Sequence, residues 1–230
     1  MISAGFFTGT LTVLTNDGNG GFVIASSPEV GTYPDSVCAA DVNGDGKPDL
    51  ISANYGDSTL TVLTNNGVGS FILASSPGTG GQVQCVETAD VNGDHLADLI
   101  SANYADNTLT ILTNNGTGDF GIASTSNVGS GPVFICTADV NGDGKADLIS
   151  ANYLANTLTV LTNNGSGGFV LASSPGVGSG PVSVCAADVN GDGKVDLISA
   201  NYFANTLTVL TNDGTGGFVF ALTLNVGERP

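Results

Sequence analysis

The hydrophobic and polar positions of this chain follow one pattern that returns every 49 residues. The acidic segment DVNGDGKPDL begins at residue 41, and close copies of it begin at 90, 139 and 188. The segment LTVLTN begins at residues 11, 60, 158 and 207, and LTILTN begins at 109. The chain is therefore a single unit copied nearly five times.

One repeat, residues 35–76, predicts four short strands. DSVCAAD is short and apolar, LISANY follows the acidic loop, and TLTVLTN alternates polar and apolar positions as strands do. NNGVGS contains Asn-Gly, which favours the positive φ angles of a tight hairpin turn, and FILASS continues as the last strand. No segment has a helical period, so we predict an all-β chain.

Four antiparallel strands in a unit of this length are typical of a β-propeller blade. LISA and LTVL are apolar on both faces, as expected when each face of a blade packs on a neighbour. We predict one β-propeller domain of about five blades, one of them with only three strands. The predicted boundaries are a partial blade at 1–34 and blades at 35–82, 83–131, 132–180 and 181–230. The nine-residue period of a calcium-binding β-roll is absent.

Two aromatic positions recur in the repeat. A phenylalanine opens the last strand of each blade and is predicted to pack between blades: Phe22, Phe71, Phe120, Phe169 and Phe218. A tyrosine ends the second strand of a blade, either as a core residue or at the rim of a binding surface: Tyr55, Tyr104, Tyr153 and Tyr202.

Each acidic loop places oxygen-bearing side chains at its positions 1, 3, 5 and 9. Position 7 would contribute its backbone carbonyl while its side chain extends into water. Oxygen ligands at this spacing suit Ca²⁺ best, and three carboxylates repel one another unless a cation lies between them. An EF-hand is excluded, because position 12 of the first loop is Ser52 in place of a glutamate and a strand follows the loop.

The sequence thus predicts up to four Ca²⁺ sites. The predicted ligands are Asp41, Asn43, Asp45, Lys47 and Asp49; Asp90, Asn92, Asp94, Leu96 and Asp98; Asp139, Asn141, Asp143, Lys145 and Asp147; and Asp188, Asn190, Asp192, Lys194 and Asp196. The alternative is that these residues only form turns, but four copies of the same carboxylates favour calcium. His95 replaces the position 6 glycine in the second loop, which predicts backbone strain and a weaker site there.

Composition narrows the possible partners. The chain has 21 acidic and 4 basic residues and a formal net charge of −17, and twelve of the acids lie in the four loops. Such a chain should repel nucleic acid and anionic membranes. No segment is long and apolar enough to span a bilayer, and the N-terminal stretch aligns with residues 50–65, so it is not interpreted as a signal peptide.

The four cysteines, one per repeat, lack the spacing of a metal site. We expect buried thiols that pack between units, although pairing across neighbouring units stays open. The single histidine excludes a Ser-His-Asp constellation in each repeat, and the acids outside the loops form no evident catalytic pair. We therefore predict no catalytic residues and no enzyme.

The motifs DVNGDGKxDL, SANY and LTVLTNNGxGGF together resemble the FG-GAP or VCBS repeat of integrin α-subunit propellers and of many bacterial secreted proteins. The resemblance covers the whole chain. It implies a calcium-stabilised extracellular propeller, most often of seven blades, used for adhesion or ligand binding, and it implies calcium ligands at loop positions 1, 3, 5 and 9. This chain has fewer blades, and it has Ser-Ala-Asn in place of the Gly-Ala-Pro of the integrin type.

The near-identity of the copies is typical of a recently duplicated or designed array, and it implies that a binding site is present several times. The predicted function is a non-enzymatic, extracellular calcium-binding propeller that acts as a structural, adhesion or ligand-binding module, with a glycan or a protein as ligand. The alternatives are a multivalent lectin with sugar sites between blades and an accessory domain of a secreted polysaccharide-acting enzyme.

The ends of the chain predict an incomplete blade. Five repeats of 49 need 245 residues and 230 are present; the 15 absent ones correspond to residues 182–196, which hold one inner strand and one acidic loop. Residues 1–27 should then supply three strands with an unpaired edge. We expect either a five-bladed ring with one three-stranded blade or self-association in which a neighbour covers the gap.

Overall fold

The computed structural model describes residues 1–230 and contains five separate antiparallel sheets. The predicted all-β propeller architecture is confirmed, including a first sheet of three strands. In every sheet the strands follow one another in chain order. Because all regular elements are strands, the chain offers no helix as a candidate for crossing a membrane.

The strands have these bounds. The first sheet contains β1 (Ile2–Gly5), β2 (Thr10–Asn16) and β3 (Phe22–Ser26). The second contains β4 (Pro34–Ala40), β5 (Asp49–Asn54), β6 (Thr59–Asn65) and β7 (Phe71–Ser75). The third contains β8 (Val83–Ala89), β9 (Asp98–Asn103), β10 (Thr108–Asn114) and β11 (Phe120–Asn127). The fourth contains β12 (Pro132–Ala138), β13 (Asp147–Asn152), β14 (Thr157–Asn163) and β15 (Phe169–Ser173). The fifth contains β16 (Pro181–Ala187), β17 (Asp196–Asn201), β18 (Thr206–Asn212) and β19 (Phe218–Asn225).

The Ser-Ala-Asn motif and the threonines of the next strand form a buried polar network. Ser52 Oγ donates to Asn54 Oδ1 at 3.0 Å, and Asn54 Nδ2 donates to Thr61 Oγ1 at 2.9 Å and to Thr59 Oγ1 at 3.2 Å. The same bonds recur around Asn103, Asn152 and Asn201. Buried polar groups need such partners, which explains why polar residues recur inside an otherwise apolar sheet.

Consecutive sheets pack face to face through a repeated hydrophobic cluster. We call the face that packs on the following sheet the leading face, and the opposite one the trailing face. Between the second and third sheets, Ile51 and Val62 of a leading face meet Leu99 and Leu112 of a trailing face, all fully buried. Equivalent clusters join the other consecutive pairs of sheets. Four of the five recurrent phenylalanines pack on these clusters, as predicted: Phe71, Phe120, Phe169 and Phe218.

The first and last sheets each keep one uncovered face. No hydrophobic cluster joins the fifth sheet to the first, and Ile198 and Val209, which correspond to fully buried residues of the inner sheets, are only partly buried. On the first sheet, Met1 is 69% exposed and Phe22 is 50% exposed, so the prediction of a core role is wrong for Phe22. The five sheets therefore form an open series, and the closure into a five-bladed ring is not seen.

Candidate metal centres

Each acidic loop is a tight turn wrapped around the carboxylate at its position 1. In the first loop the N–H groups of Gly44 and Gly46 donate to Asp41, at 2.8 and 2.7 Å. Gly44 and Gly46 have φ angles of 76° and 79°, which explains the glycines, because other L-residues rarely adopt this conformation. The pattern recurs in the fourth loop, where the N–H groups of Gly193 and Gly191 hold the pKa of Asp188 below its usual range.

The residues at positions 3 and 5 continue the turn. Asn43 Oδ1 accepts from the N–H of Asp45 at 3.0 Å, and Asp45 Oδ1 accepts from the N–H of Lys47 at 3.0 Å. The Lys47 side chain pairs with Asp45 Oδ2 at 2.8 Å and lies over Gly67 of the neighbouring hairpin turn. The side chain is 41% exposed, so it reaches water as expected, but its ammonium group is held by Asp45. Lys145 pairs with Asp143 in the same way, at 2.9 Å.

The aspartate at position 9 lies beneath the loop and braces it to the sheet. Asp147 is fully buried; its Oδ2 accepts from the N–H of Val140 at 3.0 Å and its Oδ1 from the N–H of Asn163 at 2.8 Å. Asp49, Asp98 and Asp196 make the same pair of bonds. Burial raises the pKa of the Asp98 and Asp147 carboxyls, although the N–H bonds act in the opposite direction.

The oxygen donors of each loop are of the type that binds a hard cation. In this structure, however, those oxygens accept hydrogen bonds from backbone N–H groups. Positions 1, 3 and 5 are exposed or half-buried oxygen donors within one turn, as Ca²⁺ prefers. However, no three acidic, histidine or cysteine side chains converge on one point, since the position 9 carboxylate uses both oxygens on backbone N–H groups. The ligand sets therefore remain predictions, with positions 1, 3 and 5 as the accessible donors.

The second loop has the strained conformation predicted from its histidine. His95 has a φ of 67°, close to the values of the equivalent glycines, and its N–H still donates to Asp90 at 2.9 Å. Its side chain is 95% exposed, with Nδ1 3.6 Å from Asp90 Oδ2. The histidine thus keeps the N–H bond that the equivalent glycines make, at the cost of an unfavourable backbone angle, although the bond from the position 5 N–H to the position 1 carboxylate, present in the other three loops, is absent here.

An asparagine at the end of the third strand of a blade links neighbouring sheets. Asn114 Nδ2 donates to the carbonyl of Val42, in the acidic loop of the preceding sheet, at 2.9 Å. Asn163 and Asn212 make the same bond to Val91 and Val140. Sequence reasoning missed this inter-sheet clamp. Its only signal is the invariant asparagine of LTVLTN, since the partners lie 72 residues apart.

Two of the three clamps, those of Asn163 and Asn212, lie beside a cavity that two sheets share. One cavity, of about 420 Å³, is lined by Asp90 and His95 of one loop and by Lys145 and Gly165 of the next sheet. An equivalent cavity of about 390 Å³ lies one repeat further along, between Asp139 and Lys194. The repeat therefore produces similar small cavities at successive interfaces, each with both acidic and basic groups.

The opposite end of the sheets carries an aromatic cavity. It has a volume of about 480 Å³ and is lined by tyrosines from three consecutive sheets, Tyr55, Tyr104 and Tyr153, with Gln84 and two valines. All three tyrosines are partly exposed. Of the two interpretations that the sequence allowed, the structure therefore supports the rim of a surface over the core.

Known structures share this fold at low sequence identity. A Bacteroides uniformis protein whose 6-phosphogluconolactonase assignment is provisional superposes with a TM-score of 0.76 and 13% identity, over 99% of this chain and 71% of its own. A Bacteroides fragilis protein with the same provisional assignment gives 0.77 and 15%, over 99% and 68%. An Agrocybe aegerita lectin that recognises non-reducing terminal N-acetylglucosamine gives 0.52 and 22%, over 93% and 59%. At these identities the likeness shows the fold alone.

The sequence itself places the chain in a family. No curated protein matches it by sequence. The profile of the FG-GAP-like repeat matches residues 1–52, 41–101, 90–150 and 139–199, and that of the FG-GAP repeat matches residues 180–220. The matches cover nearly the whole chain and include every acidic loop, and the structure supplies the expected sheets. The chain belongs to the FG-GAP repeat family of β-propellers.

Proposed function

We propose that this protein is a non-enzymatic, extracellular calcium-binding propeller whose loops stabilise a ligand-binding or adhesive surface. The observation that carries the proposal is the fourfold acidic loop, with exposed or half-buried oxygen donors at positions 1, 3 and 5 and a buried aspartate that braces the turn. On binding Ca²⁺, these donors would exchange bonds to loop N–H groups for bonds to the ion. The ion would offset the concentrated negative charge of the loops.

Thermal unfolding with and without calcium tests this proposal. Each occupied site adds about 2.7 kcal/mol when calcium exceeds Kd a hundredfold, so millimolar Ca²⁺ should raise the melting temperature above that in chelator. Mg²⁺ at the same concentration is the control, because it screens the net charge of −17 equally well but demands stricter octahedral geometry. Equal melting temperatures in Ca²⁺, Mg²⁺ and chelator would contradict the proposal.

The ligand-binding part of the proposal rests on the aromatic cavity. Partly exposed tyrosines around a cavity combine apolar rings with polar hydroxyl groups, a combination common in binding surfaces. The cavity lies at the end of the sheets away from the acidic loops, so calcium would stabilise the scaffold without occupying the binding surface. Tyr104→Ala should therefore weaken binding of any glycan or peptide that the wild type binds on an array. It should leave the calcium-dependent rise in melting temperature unchanged.

A multivalent lectin is the second candidate, and the cavities between sheets favour it. They repeat at successive interfaces with volumes of about 420 and 390 Å³. The propeller fold that this chain shares with the Agrocybe aegerita lectin is compatible with such sites. A glycan array that includes chains ending in N-acetylglucosamine, probed in calcium, tests this candidate. Binding that Lys145→Ala weakens but Tyr104→Ala does not would favour sites between the sheets, and an array without any binding would exclude the lectin.

A further inference from the structure

The two uncovered faces of the open series are complementary: the face of the fifth sheet repeats an inner leading face, and the face of the first sheet repeats an inner trailing face except for its first strand. The fifth sheet presents a leading face with Ile198, Ala200, Leu207 and Val209, and all four are partly exposed. Their counterparts in the three preceding sheets are fully buried against a trailing face. The face is therefore built to be covered by another blade.

The first sheet presents a trailing face that fits this role. Leu14 and Phe22 occupy the positions of Leu112 and Phe120, which pack on a leading face inside the molecule. Leu14 is partly exposed, and Phe22 is 50% exposed. The first sheet thus carries apolar groups at the third- and fourth-strand ends of an inner trailing face, while the first strand, which supplies Val86 inside the molecule, has no counterpart in this three-stranded sheet.

The polar clamp between sheets is also left half-formed at each end. Inside the molecule, Asn114, Asn163 and Asn212 each donate to the valine carbonyl of the preceding loop. The matching valine of the fifth sheet, Val189, is 46% exposed, and the matching asparagine of the first sheet, Asn16, is exposed. The Asn16 amide of the first sheet and the Val189 carbonyl of the fifth sheet are therefore a matching donor and acceptor at opposite ends of one chain.

We propose that the leading face of the fifth sheet binds the trailing face of the first sheet in a second copy of this chain. Ile198, Leu207 and Val209 would pack on Leu14 and Phe22 of the other copy, and Asn16 would donate to the carbonyl of Val189, completing the surroundings of the fourth acidic loop. Such a head-to-tail contact is heterologous and can propagate from copy to copy. One bond of the inner interfaces is replaced, because Leu222 stands where Ser173 donates to Gly216. This adds apolar surface at the contact, where Leu222 is 42% exposed.

Charge sets the conditions for this assembly. Each copy carries a net charge of −17, and the fourth loop lies at the edge of the contact. The copies therefore repel each other at low ionic strength, and salt weakens this repulsion. Association should consequently increase with salt. A contact held by salt bridges would instead weaken as the salt concentration rises.

Blocked-end variants measured by light scattering test the proposal. The wild-type mass should rise with protein concentration, at least to about twice that of the monomer. Val209→Asp blocks the leading end and Phe22→Lys blocks the trailing end, so each variant alone should be monomeric. Because each keeps one intact end, their equimolar mixture should form dimers and nothing larger. Leu171→Asp, on an exposed outer strand away from both faces, is the control and should assemble like the wild type.

Cys185 reports directly on whether the leading face is covered. It is exposed on the fifth sheet, whereas its counterparts Cys38 and Cys136 pack against the clusters of the inner sheets. Alkylation of Cys185 should slow as wild-type concentration rises and should not slow for Val209→Asp. A wild-type monomer with a reactive Cys185 at the highest soluble concentration would overturn the proposal. A monomer with a protected Cys185 would overturn it too, since the two ends would then close on each other within one chain.

Discussion

The aspartate at position 9 of each loop is the residue whose role the structure changes most, and Asp147→Ala tests it. The substitution leaves the buried N–H groups of Val140 and Asn163 without an acceptor. Each unpaired buried donor costs about 1–3 kcal/mol, so the loss lies between about 2 and 6 kcal/mol. Burial raises the pKa of this carboxyl, so its removal relieves a desolvation cost, and we expect a loss of about 2–4 kcal/mol.

Urea denaturation in chelator measures this loss apart from any effect on calcium. Circular dichroism and tyrosine fluorescence follow unfolding, since the chain has no tryptophan. Asp143→Ala is the matched control, because Asp143 lies in the same loop but pairs only with exposed partners, and it should leave the midpoint unchanged. Asp147→Asn keeps one acceptor oxygen and should fall between the two. An unchanged midpoint for Asp147→Ala would refute the claim that Asp147 stabilises the fold through its two backbone hydrogen bonds, and would leave calcium binding as its only proposed role.

Three further predictions concern other contacts. His95→Gly should keep the left-handed backbone angle but remove the steric cost of a side chain there, and should stabilise the protein in chelator by about 1 kcal/mol. Gly144→His should destabilise it by a similar amount, and equal denaturation midpoints for the two variants would contradict this reasoning. Asn114→Ala removes the inter-sheet hydrogen bond to Val42. It should lower the free energy of unfolding by about 1–3 kcal/mol more than Asn65→Ala, because the Asn65 amide bonds only within its own sheet; urea denaturation of the two variants measures the difference. At pH 8 and low protein concentration, the exposed Cys185 should be alkylated before Cys38 and Cys85, because burial raises the pKa of both of those thiols, that of Cys85 to about 12. Mass spectrometry of the labelled peptides tests the order, and labelling of Cys38 or Cys85 as fast as Cys185 would contradict their burial.

The sequence predicts the repeated sheet well because the determinants of that sheet lie close together. Asn-Gly fixes the hairpin turn, the alternation in TLTVLTN fixes the third strand, and both faces of LISA are apolar because both are covered. The contact of Phe120 with the neighbouring blade, and that of its copies other than Phe22, is predictable for the same reason. These features depend on neighbours within one repeat or on contact with the next, nearly identical repeat. They can therefore be predicted once the 49-residue period is recognised.

The sequence could not show which way a loop carboxylate faces. Asp49 is a plausible calcium ligand by type and position, yet it bonds to the N–H of Asn65, 16 residues away on another strand. The clamp between Asn114 and Val42 spans 72 residues and depends on how two sheets pack. The exposure of the leading face of the fifth sheet could not be predicted either, because Ile198 has the same sequence neighbours as its fully buried copies. Each of these features is decided by the relative placement of separate sheets.

Counting bound calcium tests the central claim most directly. Equilibrium dialysis or calorimetry of the wild type should find up to four Ca²⁺ per chain, and the affinity should be weakest at the loop with His95. Asp143→Asn should lower the count by one, while Asp119→Asn, which removes the same charge from a hairpin turn outside the loops, should leave it unchanged. A chain that binds no calcium at millimolar concentration, or that loses calcium equally in both variants, would contradict the assignment of the acidic loops as calcium sites.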